Sequence, residues 1–220
     1  NQKQKCASVF WDTGILHCNH CGERTQMHTY KKKNEKKEYK KPVLKPKSAY
    51  SKEVLDWFKN VRGISEKTLK KAKVSEGFTW MPKAGKQVKT IEFNYYLHDE
   101  LINVKSRAKG KDFKFEKDCE LLMYNLDGII GEKECVLVEG EPDALSWIEA
   151  GYDSVSSVPN GFTLPREDGT STINLTYLDD YYHVFEDKEI VYLAFDNDTA
   201  GEEGTKEFIR RLGAEKCYLI

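Results

Sequence analysis

The chain has 220 residues, 39% hydrophobic and 12% aromatic, which is enough apolar material for a sizeable core and for two small domains. Its formal net charge of −1 hides an asymmetry, because lysines crowd the first half and acids gather in the second. No apolar run reaches the length of a membrane span and no signal peptide is visible; six cysteines in so charged a chain suit reduced thiols and metal binding, which makes cytoplasm the expected compartment.

Residues 8–22, SVFWDTGILHCNHCG, predict a hairpin: a strand over 8–11, a turn at Asp12-Thr13-Gly14, a second strand over 15–18, then a knuckle Cys18-Asn19-His20-Cys21-Gly22. Two cysteines separated by two residues, with glycine after the second, let both thiolates reach one tetrahedral ion, so Cys18 and Cys21 are the expected Zn²⁺ ligands of a partial zinc ribbon over 1–30. Cys6 stays open as a third ligand, while His17 and His20 read as surface residues. A ribbon of this shape draws its other pair from a second knuckle upstream, so the ribbon is expected to begin before Asn1 and the chain to be N-terminally truncated.

Nine lysines and two prolines between 31 and 47, with almost nothing apolar, cannot build a core. A lysine-rich linker over 31–50 is expected, with loose phosphate contact as a secondary benefit. Val54, Leu55, Trp57 and Phe58 fall on one face of a helix over 51–60, and a second short helix follows over 65–73 after the Arg62-Gly63-Ile64 break. Residues 90–96 and 101–107 then form a hairpin around His98-Asp99-Glu100, completing an N-terminal subdomain over 51–130. Lys105 and Arg107 alternate with Ile102 and Val104 and so leave the strand on one face; Lys111 and Lys114 follow across a glycine. A solvated edge strand guarded by lysines is the plain reading, under which Lys105 and Arg107 matter little to folding. A cationic strand upstream of a carboxylate cluster is also what a nucleoside triphosphate needs.

Two apolar β-branched runs end abruptly in acids and glycine: ECVLVEGEPD over 134–143, and IVYL followed by AFDNDTAG over 190–201. Each reads as a buried parallel strand delivering carboxylates to its C-terminal tip, where open α/β sheets bind ligands. Glu139 sits at the first tip, Pro142 suits the first turn of a helix that Gly151 stops, and Asp143 projects from that turn. Asp196 and Asp198 are two apart, so an extended backbone points both one way. Four carboxylates so placed repel one another unless a cation lies between them, and hard oxygen ligands shared with phosphate suit Mg²⁺ or Mn²⁺.

This pairing of E-G-x-x-D with D-x-D resembles the Toprim domain shared by DnaG-type primases, topoisomerases and some nucleases, over 131–220. The longer order of zinc knuckle, W-F-x-x-x-R-G-I, F-N-Y-Y, N-V-K-S-R, K-D-F-K, L-x-Y-N-L-D, V-E-G-E-P-D-A-L-S, S-V-P-N-G and F-D-N-D-T-A-G resembles the primase half of phage-type and Bacteroidetes-type primase-helicases. The fold that follows is α/β: an α+β N-terminal subdomain, then a Rossmann-like parallel Toprim sheet. The resemblance implies that Glu139, Asp143, Asp196 and Asp198 are the catalytic acids, with Glu139, Asp196 and Asp198 as Mg²⁺ ligands. It also implies that Lys105, Arg107, Lys111 and Lys114 meet nucleotide or template phosphates, and that Asn160 and Gly161 form a loop beside the site.

The implied activity is DNA primase: ribonucleoside triphosphates joined into short RNA primers on a single-stranded DNA template, for a fused or separate replicative helicase, in a bacterial or phage setting. The family's further acidic motif is expected beyond Ile220. Two other classes stay in view, a binding module that holds single strands without polymerising and a small Toprim nuclease. A topoisomerase, which needs an active tyrosine in a large gating domain, does not fit 220 residues.

Overall fold

The computed structural model of the protein describes residues 7–10, 15–18, 20–21, 23–26, 38–43, 49–164 and 173–220. The chain divides into two compact units, Asn1–Glu38 and Tyr39–Ile220.

In the first unit, β1 (Ala7–Phe10), β2 (Ile15–Cys18) and β3 (Arg24–Gln26) form an antiparallel sheet in that order. The first two are the expected hairpin, and the third strand is new. The expected turn at Asp12-Thr13-Gly14 lies outside the described residues, as do Cys6, Asn19 and Gly22.

The second unit opens with α1 (Lys52–Trp57), which widens into a π-helical turn over Phe58–Arg62 and ends at Gly63, whose φ of 69° supplies the left-handed stop. Helix α2 (Glu66–Lys71) is capped by Ser65. Four strands follow, β4 (Ser75–Met81), β5 (Lys86–Leu97), β6 (Glu100–Ala108) and β7 (Asp112–Phe115), antiparallel and adjacent in chain order. Neither His98 nor Asp99 is glycine, yet both take positive φ at the β5–β6 turn. The Asp127 carboxylate accepts both their amides, at 2.8 and 3.3 Å, and holds that turn. The sheet curls until its edges meet, for Lys114 on β7 donates to the Trp80 carbonyl on β4.

The rest of the chain is β8 (Glu134–Val138), α3 (Glu141–Glu149), β9 (Val155–Ser157), α4 (Thr176–Asp180), α5 (His183–Glu186), β10 (Ile190–Ala194), α6 (Thr199–Leu212) and β11 (Cys217–Leu219). The strands form an all-parallel sheet of order β11-β10-β8-β9, with β8 and β10 in central positions as their unbroken apolar runs require. The architecture is therefore mixed α/β with a four-stranded parallel sheet.

The two sheets share one core. Phe58, Leu69, Phe93 and Tyr95 belong to the same buried cluster as Val136, Leu137, Leu145, Phe185 and Phe208. Tyr124 joins them: its backbone pairs with Ser157 on β9, and its hydroxyl donates to the Ala72 carbonyl beyond α2.

Candidate active site at the parallel strand tips

Strand β8 ends at Val138, so Glu139 is the first residue past the sheet; Gly140 follows as the extended N-cap of α3. Pro142 sits in the first turn of that helix and Asp143 beside it, as expected. A Cβ on Gly140 would stand 2.9 Å from the Asp143 carboxylate, and one on Gly161 would stand 2.9 Å from Glu139 Oε1. Both glycines thus leave room for acids. The Phe162 amide donates to Glu139 Oε1 at 3.3 Å, whereas Glu139 Oε2 is buried without a hydrogen-bond partner. Burial holds the Glu139 carboxyl above its ordinary value; the nearby charges of Asp196 and Asp198 add to this, against the amides of Phe162 and Asp196. Asp143 is also raised, first by burial and then by Asp196 and Glu141, with Arg62 opposing.

Strand β10 leads to Asp196 and Asp198, both exposed. Asp198 has a second task, since it is the N-cap of α6 and accepts the Gly201 amide at 2.9 Å. That turn is tight: a Cβ on Gly201 would lie 1.9 Å from the Asp196 carbonyl oxygen. Phe162, Phe195 and Phe208 stack edge to face with centroids 4.8–6.0 Å apart, fastening the 160–162 loop to the end of β10. The four acids are therefore electrostatic neighbours at one end of the sheet. Among the described residues no three acid, imidazole or thiol groups are close enough to count as a ready-made chelate. The unpartnered Glu139 oxygen, in a field of like charge, is nonetheless a hard donor of the type a divalent cation takes.

The expected cations divide. Lys105 and Arg107 do share one face of β6, opposite Phe115 and Phe113 of β7. Lys114 pairs with Ser106 and so lies on the other face, where its ammonium sits over Trp80. Lys111 is exposed at the β6–β7 turn, Asn160 is exposed in its loop, and Gly161 abuts Glu139. The solvated edge strand is overturned, because β6 lies between β5 and β7 and the Lys105 side chain is only 10% exposed. Its ammonium donates to Glu141 Oε1 at 2.7 Å and to the Pro159 carbonyl at 2.6 Å. The expectation that Lys105 contributes little to folding falls with it, since a buried charge must be paired to be tolerated.

The sequence reading gave no role to Glu141, Tyr95 or Arg62. Glu141, buried on α3, receives Lys105 and the Tyr95 hydroxyl. Arg62 and Arg107 both stack against Trp57, at 5.8 and 4.8 Å from the ring centroid, and Arg62 is close enough to stabilise the Asp143 charge. The one signal for Glu141 was the third acid in E-G-E-P-D, which a paired-carboxylate reading leaves without a task.

In the first unit, the Cys18 thiol is lowered mainly by the Cys21 amide, then by the His20 amide and the Cys21 side chain. Two thiols are half of a tetrahedral set, and no third described group joins them.

Residues 136–220 match the Toprim-like family model. This part of the chain is a Toprim domain. Over 176 residues the chain is 32% identical to a primase homolog protein of Arabidopsis thaliana, covering 76% of this chain and 49% of that protein. It is 31% identical to the chloroplastic/mitochondrial Twinkle homolog of the same plant, again over 76% of this chain and 23% of that protein. The chain thus spans half or less of the length of these curated relatives. The crystal structure of the primase fragment of the bacteriophage T7 primase-helicase has the same fold, with a TM-score of 0.57 at 21% identity, over 98% of this chain and 84% of that one. A primase-like Toprim domain, related to primase and primase-helicase proteins, is joined here to a curled antiparallel sheet. No described helix is long and apolar enough to cross a membrane.

Proposed function

We propose that this chain is a DNA primase module, which joins ribonucleoside triphosphates into short RNA primers on single-stranded DNA and works with a replicative helicase. The observation that carries this reading is the buried, unpartnered Glu139 oxygen, on a carboxyl that feels the charges of Asp196 and Asp198 at the next strand tip. Glu139, Asp196 and Asp198 would hold Mg²⁺ or Mn²⁺, with Asp143 beside them. A divalent ion bound there would lower the charge barrier to attack of a 3′-hydroxyl on an α-phosphate.

The chain's own residues do the remainder. Arg107, half-buried against Trp57 and Phe113, presents a planar fork suited to phosphate oxygens, and Arg62 stands next to it. The two guanidiniums oppose one another, and burial together with Arg62 lowers Arg107, so an anion between them would relieve both. Lys111, exposed at its turn, and the Asn160-Gly161 loop would extend the nucleotide and template contacts. Lys105 supports this surface from behind, and Lys114, on the opposite face, would meet a more distant part of the strand. Cys18 and Cys21 would supply half of a Zn²⁺ site in the ribbon of the first unit.

The test is primer synthesis by the full-length protein on single-stranded DNA with ribonucleotides and Mg²⁺. Asp196→Asn should abolish synthesis with the fold intact, because it removes a ligand charge at constant volume. Wild-type rates from that variant remove the acids from catalysis. Tight strand binding with no synthesis under any metal or template would favour a binding module instead.

A further inference from the structure

A buried network lies behind the acids that binding and catalysis, as described, do not use. Glu141 is 2% exposed and its Oε1 accepts from both the Tyr95 hydroxyl and the Lys105 ammonium, the latter at 2.7 Å. Tyr95 is fully buried on β5, with Phe115 and Tyr124 edge-on at 5.4 and 5.3 Å, so its hydroxyl has one place to point. The same ammonium reaches the Pro159 carbonyl at 2.6 Å, two residues before the glycine that abuts Glu139. Both donors come from the antiparallel sheet; both acceptors belong to the segments that carry Asp143 and enclose Glu139. The network therefore spans the two sheets at the base of the acid cluster.

Resting on the metal-site reading above, we propose that Glu141, Tyr95 and Lys105 are positioning residues. They clamp the β8–α3 turn and the 159–161 loop against β5 and β6, and so hold Glu139, with Asp143 beside it, in place for a divalent cation. A charge so deeply buried is costly to keep unless it fixes something, and a hydroxyl plus an ammonium on one carboxylate oxygen fixes the helix start in position and in rotation. Hydrogen-bonded groups behind metal-site residues govern affinity in this way, and losing one typically costs about 10–100-fold.

The experiment titrates the full-length protein with Mn²⁺ alone, reading free ion by electron paramagnetic resonance. Tyr95→Phe removes one hydroxyl at nearly constant shape, and Glu141→Gln removes the charge. Each should weaken Mn²⁺ binding by about 10-fold or more, with circular dichroism unchanged. Because Tyr95 acts through Glu141, the double variant should bind no worse than Glu141→Gln. Mn²⁺ binding equal to the unmodified protein in Tyr95→Phe and Glu141→Gln makes the network structural only and overturns the proposal. Fully additive losses overturn the claim that Tyr95 works through Glu141. No Mn²⁺ binding by the unmodified protein removes the carboxylate reading and this proposal together, a result distinct from equal binding. Tyr95→Phe keeps the test decisive where Glu141→Gln fails to fold.

Discussion

Replacing Lys105 by methionine tests whether β6 carries a structural charge. The side chains of Lys105 and Glu141 are 10% and 2% exposed, so the pair is out of water on both sides. Breaking a buried pair from one end costs about 3–5 kcal/mol, because the surviving charge is left uncompensated. Glu141 keeps the Tyr95 hydroxyl, which places the expected loss near the lower end, about 3 kcal/mol. At about 2–4 °C per kcal/mol for a domain of this size, Lys105→Met should lower the melting temperature by about 6–12 °C. Scanning calorimetry in chelator, at fixed ionic strength, reads this directly. Adding Glu141→Gln should restore part of the loss, since the stranded carboxylate is then neutral. A fall of less than about 2 °C is what an exposed lysine gives, and it would refute the buried pair.

Gly161→Ala should raise the Mg²⁺ needed for half-maximal synthesis by about 10-fold, because the new methyl would stand 2.9 Å from Glu139 Oε1 and displace it; an unchanged titration contradicts that contact. In metal-free protein the raised Glu139 and Asp143 carboxyls favour the fold only while protonated, so their contribution is present below the unfolded values and is lost as pH rises through the folded ones. The melting temperature of Glu139→Gln should therefore rise relative to that of the unmodified protein as pH climbs from about 4, and a relative fall has the wrong sign. Full-length protein should carry about one Zn²⁺ at the Cys18 and Cys21 ribbon by elemental analysis, lost on Cys18→Ser, and a metal-free ribbon indifferent to chelators removes zinc from this account.

The parallel sheet was legible because its signal is local. Runs such as Val136-Leu137-Val138 are apolar on every residue, which only a strand covered on both faces permits, and each ends in an acid at the tip. Helix α3 could be read from Pro142 and Gly151, and the β5–β6 hairpin from alternation. The basic strand was not legible in the same way. Alternation shows that Lys105 and Arg107 share a face, but whether that face is wet depends on β7 and α3, which lie at other places in the chain. Periodicity reports which residues point together; it carries no information on what they point at.

The same limit explains the missed residues and says something about how the site is made. Glu139, Asp143, Asp196 and Asp198 come from the parallel sheet; Arg107 comes from the antiparallel sheet, and Arg62 from the helical turn that packs beside it. No single stretch of sequence holds both these acids and these arginines, so the acids read as a complete site when they are one side of it. The single core that runs from Phe58 and Phe93 through Tyr124 to Leu137 and Phe208 is what brings the two sides to a fixed separation. The buried Lys105–Glu141 pair joins β6 of the antiparallel sheet to the start of α3 beside the parallel one. An apolar pair there would pack as well or better. What it would lack is direction, because only the charged pair ties the start of α3 to a particular residue of β6.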